Sequence, residues 1–276
     1  MLDTFQNEET SWKIDWKTYW TCLVKIDNAR HKLRVPDWEP TPGATMDDWI
    51  DYYDSTHTIY VSKQHRDLHF SIIADEIISY IPSPDAVVLD YACGEAISAA
   101  RVAEHCSRLI LAEPAPGVRG RLIARFAPTL NIKVRSLEDV RHLDDHSLDL
   151  VVMISVAQYM TPAQLDDAFA IIHRLLKPTG RLVLGDILRP DVGATADIMA
   201  LLRMAYSHGF LKDALIGLVR TYLSDYWQLR STIGLQRYSE PTMIAKLTAA
   251  GFVSSRASQN VGHNPARMTF VAHRAP

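Results

Sequence analysis

From residue 86 onward, short and almost wholly apolar runs alternate with longer stretches in which apolar residues recur every three or four positions. AVVLDYA (86–92), RLILAE (108–113), NIKVRS (131–136), LDLVVMIS (148–155) and RLVLGDI (181–187) have strand length and read as strands buried on both faces. Between them, AISAARVAEH, GVRGRLIARF and TPAQLDDAFAIIHRLLK carry a helical period. In the last of these, Thr161 suits the N-cap, Pro162 the first helical position and KPTG the stop. Strands alternating with helices of this length predict an α/β fold with a doubly wound, mostly parallel sheet, joined by right-handed crossovers.

The alternation ends after Asp186, and residues 193–236 form a long helical insertion after the fifth strand. SEPTMIAKLTAAGF then reads as a capped helix stopped by Gly251. FVSSRASQ and RMTFVAHR, joined by NVGHNPA, make an antiparallel C-terminal hairpin that brings the sheet to seven strands. Upstream, Trp12, Trp16 and Trp20 share one face of a helix with Tyr19 and Leu23, either packed or forming a cage for a cation. RVPDWEPTPGAT (34–45) is a proline-rich connector, and 64–80 a second helix. The expected division is a helical lid segment over 1–84 and a Rossmann-like domain over 85–276 that includes the insertion. GFLKDALIGLVRTYL is apolar on one broad face, which suits a helical cap over a site or a surface in peripheral contact with lipid.

Composition narrows the function. With a net charge of −3 over 276 residues the chain has no electrostatic footprint for nucleic acid. Its three cysteines have no zinc-site spacing, which favours a reducing compartment. The N-terminus lacks a basic region followed by an apolar one, and no run approaches the ~18 apolar residues of a membrane span, so a cytoplasmic protein, monomer or homodimer, is expected.

The chemistry centres on DYACGEA, a strand-to-helix turn built of small residues. The dinucleotide fingerprint requires small residues at its first, third and sixth positions, here Ala92, Gly94 and Ile97, and Ile97 would obstruct the close packing the sixth position permits. The small residues are instead Ala92, Gly94 and Ala96, following Asp90. Asp90 can orient the turn and accept from an ammonium or from loop N–H groups, or it can cap the next helix. Glu113, ending the neighbouring strand, can accept two ribose hydroxyls, or it is a solvated strand end.

VVLDYACGEA resembles the first motif of the class I S-adenosylmethionine-dependent methyltransferases. LILAEP, SLEDV, LDLVVMISVAQYM, LLKPTGRLVLGD and the closing AAGF with its hairpin are similar to later features of that family, in the same order. The resemblance implies S-adenosyl-L-methionine as cofactor. It implies contacts from Asp90, Ala92, Cys93 and Gly94 in the turn, Glu113 and Pro114 at the ribose, Leu137 and Glu138 at the adenine, and Ser155 after the fourth strand. Tyr60, with Tyr52 and Tyr53, is a candidate to line the cofactor's methionine end.

Methyl transfer from a sulfonium mainly requires an acceptor held in line, plus a base where the acceptor is a hydroxyl or ammonium. His65, His69, Tyr159 and His208 are the candidate catalytic residues, with His57 and Gln158 near them in the chain. His65 and His69, four apart, have a metal-compatible spacing, but no carboxylate motif accompanies them and no metal is expected. HLDDH (142–146) reads as a solvated turn before a strand. The expected reaction is O- or N-methylation of a small, partly apolar molecule. A nicotinamide-dependent oxidoreductase and a non-catalytic binding module are the competing readings.

Overall fold

The computed structural model describes residues 46–54, 60–222 and 235–275. The tryptophan-rich helix, the 34–45 connector, His57 and residues 223–234 of the insertion lie outside the described residues.

Seven strands form one sheet: β1 (Val87–Tyr91), β2 (Arg108–Ala112), β3 (Ile132–Arg135), β4 (Leu148–Ile154), β5 (Leu176–Ile187), β6 (Phe252–Arg256) and β7 (Met268–Arg274). Their order is β3-β2-β1-β4-β5-β7-β6. The first five pair in parallel, and β7 lies antiparallel between β5 and β6, as the alternating pattern and the terminal hairpin predict. The chain runs outward from β1 through β2 to β3, then returns to lay β4 on the other side of β1. The crevice at the carboxyl ends of β1 and β4 is therefore the topological switch point, where open α/β sheets bind ligands.

Helices α1 (Met46–Asp54), α2 (Lys63–Tyr80), α3 (Ala99–Ala103), α4 (Pro116–Phe126), α5 (Leu137–Arg141), α6 (Pro162–Leu175), α7 (Ala194–Ser207), α8 (Leu211–Tyr222) and α9 (Glu240–Ala249) accompany the sheet. Period-two alternation sends β1 side chains to two separate cores. Leu89 and Tyr91 pack with Leu165, Phe169 and Ile172 of α6, while Val88 packs with Ala74 and Ile77 of α2 and with α3 and α4. α6 starts with the expected cap: Gln164 N–H donates to Thr161 Oγ1 at 3.2 Å and Thr161 N–H to Gln164 Oε1 at 2.8 Å, a reciprocal capping box with Pro162 in the first turn.

One boundary differs from the sequence expectation. KPTG does not separate α6 from β5 but belongs to β5, which begins at Leu176 in register with Leu148. Lys177 Nζ donates to both oxygens of Asp149 at 2.8 and 2.9 Å, and Asp149 Oδ2 also accepts from Val87 N–H at 2.9 Å. A single carboxylate thus ties together the starts of β1, β4 and β5. Gly180 is required there because a Cβ would lie 2.9 Å from the Leu148 carbonyl oxygen.

The insertion folds as α7 and α8, turned at Gly209 with φ +77°. Buried Leu201, Met204, Ala205, Phe210 and Ala214 pack against Val61, Leu68 and Ile72 in and just before α2, while Tyr206, Ile216 and Val219 are exposed. No described helix is long and apolar enough to cross a membrane.

Gly217 marks the tightest approach of α8, since a Cβ there would lie 2.2 Å from Val61 Cβ and 2.8 Å from its Cα. Alanine at 217 gains about 1 kcal/mol of helix propensity but suffers an overlap that no rotamer relieves, worth about 1–3 kcal/mol. Gly217→Ala is therefore expected to lower the denaturation midpoint. Gly120→Ala in α4, where a Cβ meets nothing within 4 Å, should raise stability by about 0.5–1 kcal/mol. Chemical denaturation of both variants checks the pair.

Candidate functional site

The turn after β1 explains why small residues occur at alternate positions. Ala92, Gly94 and Ala96 adopt φ of 58°, 59° and 40°, so every second residue is left-handed. That conformation costs a residue with a Cβ about 1–2 kcal/mol, and alanine carries the smallest Cβ substituent. The turn is held from outside: Cys93 N–H donates to the Ala112 carbonyl at 3.0 Å, and Gly94 N–H to Glu113 Oε2 at 2.8 Å. A Cβ on Gly94 would meet nothing within 4 Å, so the backbone there is open to an approaching ligand.

Glu113 is not a solvated strand end. It is 4% exposed, and its second oxygen accepts from Ala115 N–H at 2.9 Å, so one carboxylate joins the β1 turn to the β2–α4 corner. Burial raises its pKa, and the two backbone hydrogen bonds oppose that rise. Each oxygen keeps a lone pair for a hydroxyl donor. Asp90 does not cap the next helix either; Ser98 occupies the N-cap position of α3. Burial, and then the Glu113 charge, pushes Asp90 up to about 7. Its carboxyl faces a pocket between α2 and the turn that is lined by Phe70, Ile73, Cys93, Ser98 and Ile154. Asp54, at the end of α1, accepts from Val118 N–H at 2.9 Å and fastens α1 to the first turn of α4.

The other expected residues divide. The half-buried Cys93 thiol has its pKa raised, chiefly by desolvation. Pro114 offers its carbonyl to Arg119 Nη1 at 2.9 Å. Leu137 opens α5 and packs against the core, but Glu138 turns outward to ion pairs with Arg141 at 3.5 Å and His142 at 3.3 Å. The reason is the Ser136–Asp139 capping box, which starts a helix at 137 and rotates Glu138 to its solvent side. Of the two residues, Leu137 therefore faces the core and Glu138 the solvent.

On the other side of the crevice, Ser155 and Asp186 end β4 and β5 with φ of 59° and 62°. Ser155 Oγ donates to Asp186 Oδ2 at 2.5 Å, and Arg267 Nη1 donates to the same oxygen at 2.5 Å. Arg267 Nη2 reaches Asp197 of α7 at 3.0 Å, and Asn264 Nδ2 reaches the same carboxylate at 2.7 Å. This buried network holds the ends of β4 and β5 and the start of the insertion to the β6–β7 connection. Sequence reasoning treated that connection only as a hairpin joint. Its signal was the run NVGHNPAR, dense in polar residues beside buried Val261 and Met268.

His65 and His69 do come together, and a third histidine absent from the sequence expectation joins them. His263 lies 6.1 Å and 6.0 Å from their ring centroids, and Tyr60 lies 5.6 Å and 5.5 Å from the same two rings. Tyr159 lies in a different cluster: its hydroxyl accepts from Tyr53 at 2.8 Å, and its ring is 4.5 Å from buried Trp49. His208 does not join either group. It caps α7, with Nδ1 2.9 Å from the Met204 carbonyl, and its own carbonyl accepts from Gln64 Nε2.

Comparison with known proteins agrees with this geometry. The methyltransferase domain family matches residues 89–184, which run from β1 to the middle of β5. A Synechocystis protein named as an uncharacterized methyltransferase is 31% identical over 109 residues, covering 40% of this chain and 50% of the relative. The match thus spans half the length of that relative. Among solved structures, magnesium protoporphyrin IX methyltransferase from Synechocystis superposes with a TM-score of 0.53 at 14% identity, covering 83% of this chain and 94% of the other. Burkholderia thailandensis 1,6-didemethyltoxoflavin-N1-methyltransferase superposes with a TM-score of 0.51 at 16% identity, covering 84% and 87%. Residues 89–184, which carry the turn, Glu113 and the switch point of the sheet, thus match a methyltransferase domain, in agreement with the motifs of the sequence.

Proposed function

We propose that the protein transfers a methyl group from S-adenosylmethionine to oxygen or nitrogen of a small molecule. The carrying observation is the left-handed alternation at 92, 94 and 96, braced by Glu113 over open space above Gly94. When bound, the cofactor supplies an electrophilic methyl on a positively charged sulfur. The chain's own groups suit such a ligand. The free lone pairs of Glu113 can accept ribose hydroxyls, Gly94 lets the backbone approach, and the half-buried Asp90 carboxyl can accept from a cationic group. Ile97 does not suit the dinucleotide alternative, for the turn's third left-handed residue is Ala96. The solved relatives from Synechocystis and Burkholderia are named for small-molecule substrates, which supports the same size of acceptor here.

The first test is calorimetric titration with S-adenosylmethionine, S-adenosylhomocysteine and NAD(P). Micromolar binding of the first two is expected, and binding of the dinucleotide alone would sink the proposal. Glu113→Ala removes both the hydroxyl acceptor and the brace on the turn. Each charge-assisted hydrogen bond is worth about 1.5–3 kcal/mol, so S-adenosylhomocysteine should bind at least tenfold more weakly.

Asp90 makes the interaction pH-dependent. In the ligand-free protein its pKa is raised from 3.8 to about 7, so the folded state holds more protons than the unfolded state between those values. Its contribution to ligand-free stability therefore falls as pH rises from about 4 to about 7. A cationic ligand favours the ionised carboxylate, so affinity should climb with pH up to about 7 and then level off. Asp90→Asn should flatten both profiles, as measured by melting curves with and without S-adenosylmethionine.

The two alanines of the turn give a third expectation. Ala92→Gly relieves a left-handed Cβ at a half-buried position and should stabilise the fold by about 0.5–1 kcal/mol. Ala96→Gly relieves the same strain but removes a buried methyl worth about 0.8 kcal/mol, so it should be near neutral. Thermal denaturation separates the two variants.

A further inference from the structure

His65 and His69 project from one helix and His263 from the distant β6–β7 connection, yet their ring centroids lie 6.0–6.4 Å apart. Aromatic rings complete the surround: Tyr60 against the first two, Phe210 of the insertion stacked on His65 at 5.9 Å, and Phe70 at 5.4 Å from His69. Phe70 also lines the pocket at Asp90, so α2 spans from the turn to this cluster.

His65 is 7% exposed. Its Nδ1 accepts from Val61 N–H at 3.3 Å, which places the ring proton on Nε2. That Nε2 is closed to solvent and has no hydrogen-bond partner. His69 and His263 keep partial exposure and form the approachable side. Burial and their mutual proximity keep the rings neutral, with His65 lowered to about 4, His69 to about 3, and His263 lowered as well. The neighbouring cation, Arg267, is ion-paired with Asp186 and Asp197. Among the described residues no three His, Cys, Asp or Glu side chains are arranged to share a metal ion.

We propose that His65, His69 and His263 form the acceptor-binding wall, and that it takes an uncharged planar compound bearing a hydroxyl or a ring N–H. This rests on the methyl-transfer reading and adds to it the chemistry of the acceptor. His65 retains only its buried Nε2–H as a donor, whereas neutral His69 and His263 each carry one donor and one acceptor nitrogen, so a hydroxyl can be held from both sides. The flanking rings offer faces to a planar molecule. Among the described residues the neighbouring cation, Arg267, is already paired, so a carboxylate or phosphate would lose its hydration without compensation.

The test titrates the protein, saturated with S-adenosylhomocysteine, with 2-naphthol and benzimidazole, and with 2-naphthoate and naphthyl phosphate as anionic counterparts. The neutral probes should bind at least tenfold more tightly than the anions and shift the Hε1 resonances of the three histidines. His69→Asn and His263→Asn should each weaken 2-naphthol at least fivefold while leaving S-adenosylhomocysteine affinity within twofold. Three results would overturn the proposal: anions bound as tightly as neutral probes, neutral probes that do not bind or that leave the imidazole resonances unmoved, or stoichiometric Zn²⁺ uptake by the three histidines. Failure of the wild-type protein to bind S-adenosylhomocysteine is a separate outcome and counts against methyl transfer itself.

Discussion

The carboxylate of Glu113 is the constraint on which the rest of the site depends. A turn with three left-handed residues, two of them alanine, is not a conformation the chain would keep unaided. Glu113 holds it by accepting from Gly94 N–H on one side and from Ala115 N–H on the other. Because Ala115 immediately precedes α4, the brace fixes the turn relative to the second crossover as well as to β2. The desolvation of Glu113 is opposed by those two donors, whereas no such donor to Asp90 is found among the described residues, and desolvation pushes its pKa up to about 7. The site therefore contains one carboxylate fixed in place by two backbone donors, with a lone pair left on each oxygen, and a second that is not so fixed.

Much of the fold was legible because parallel strands covered on both faces leave near-continuous apolar runs, and β1, β2 and β4 are such runs. Strand β3, expected to be buried on both faces, is instead the edge strand, with Ile132 buried and Lys133 and Arg135 exposed. The early start of β5 was not legible. Its first residues, LKPTG, have the composition of a helix stop, and only pairing with Leu148 and the Lys177–Asp149 bridge makes them strand. The turn was legible in spacing but not in mechanism, since that requires the φ angles. Glu138 was misplaced for a local reason: SLED is itself a capping-box pattern, and a helix beginning at 137 turns that side chain away. His263 could not be joined to His65 from sequence, because nearly two hundred residues and most of the sheet separate them.

The insertion and the C-terminal hairpin are coupled through one buried arginine. Arg267, next to the start of β7, bonds to Asp186 at the end of β5 and Asp197 in the first turn of α7. Breaking a buried, hydrogen-bonded pair on one side leaves an uncompensated charge, so each member depends on the others. The same carboxylate that anchors Arg267 accepts from Ser155, and its charge opposes the lowering of the His263 pKa by burial. The position of the insertion over α2 and the position of His263 are thus set by a common network.

Electrostatics runs in one direction across the crevice. At the β1 end lie two carboxyls, buried Glu113 and half-buried Asp90, with no cation among the described residues hydrogen-bonded to either side chain, an arrangement that disfavours anions and rewards positive charge. At the far end lie imidazoles held neutral by burial, beside an arginine whose charge two aspartates more than balance. A cationic sulfonium bound at the first end would itself push nearby imidazoles further from protonation. Neutral histidines are therefore the stable partners for such a donor, and protonated ones would repel it. On the proposed assignment of the histidines to the acceptor, these two groups, in separate parts of the chain, serve a single arrangement in which the donor brings the positive charge and the acceptor side brings none.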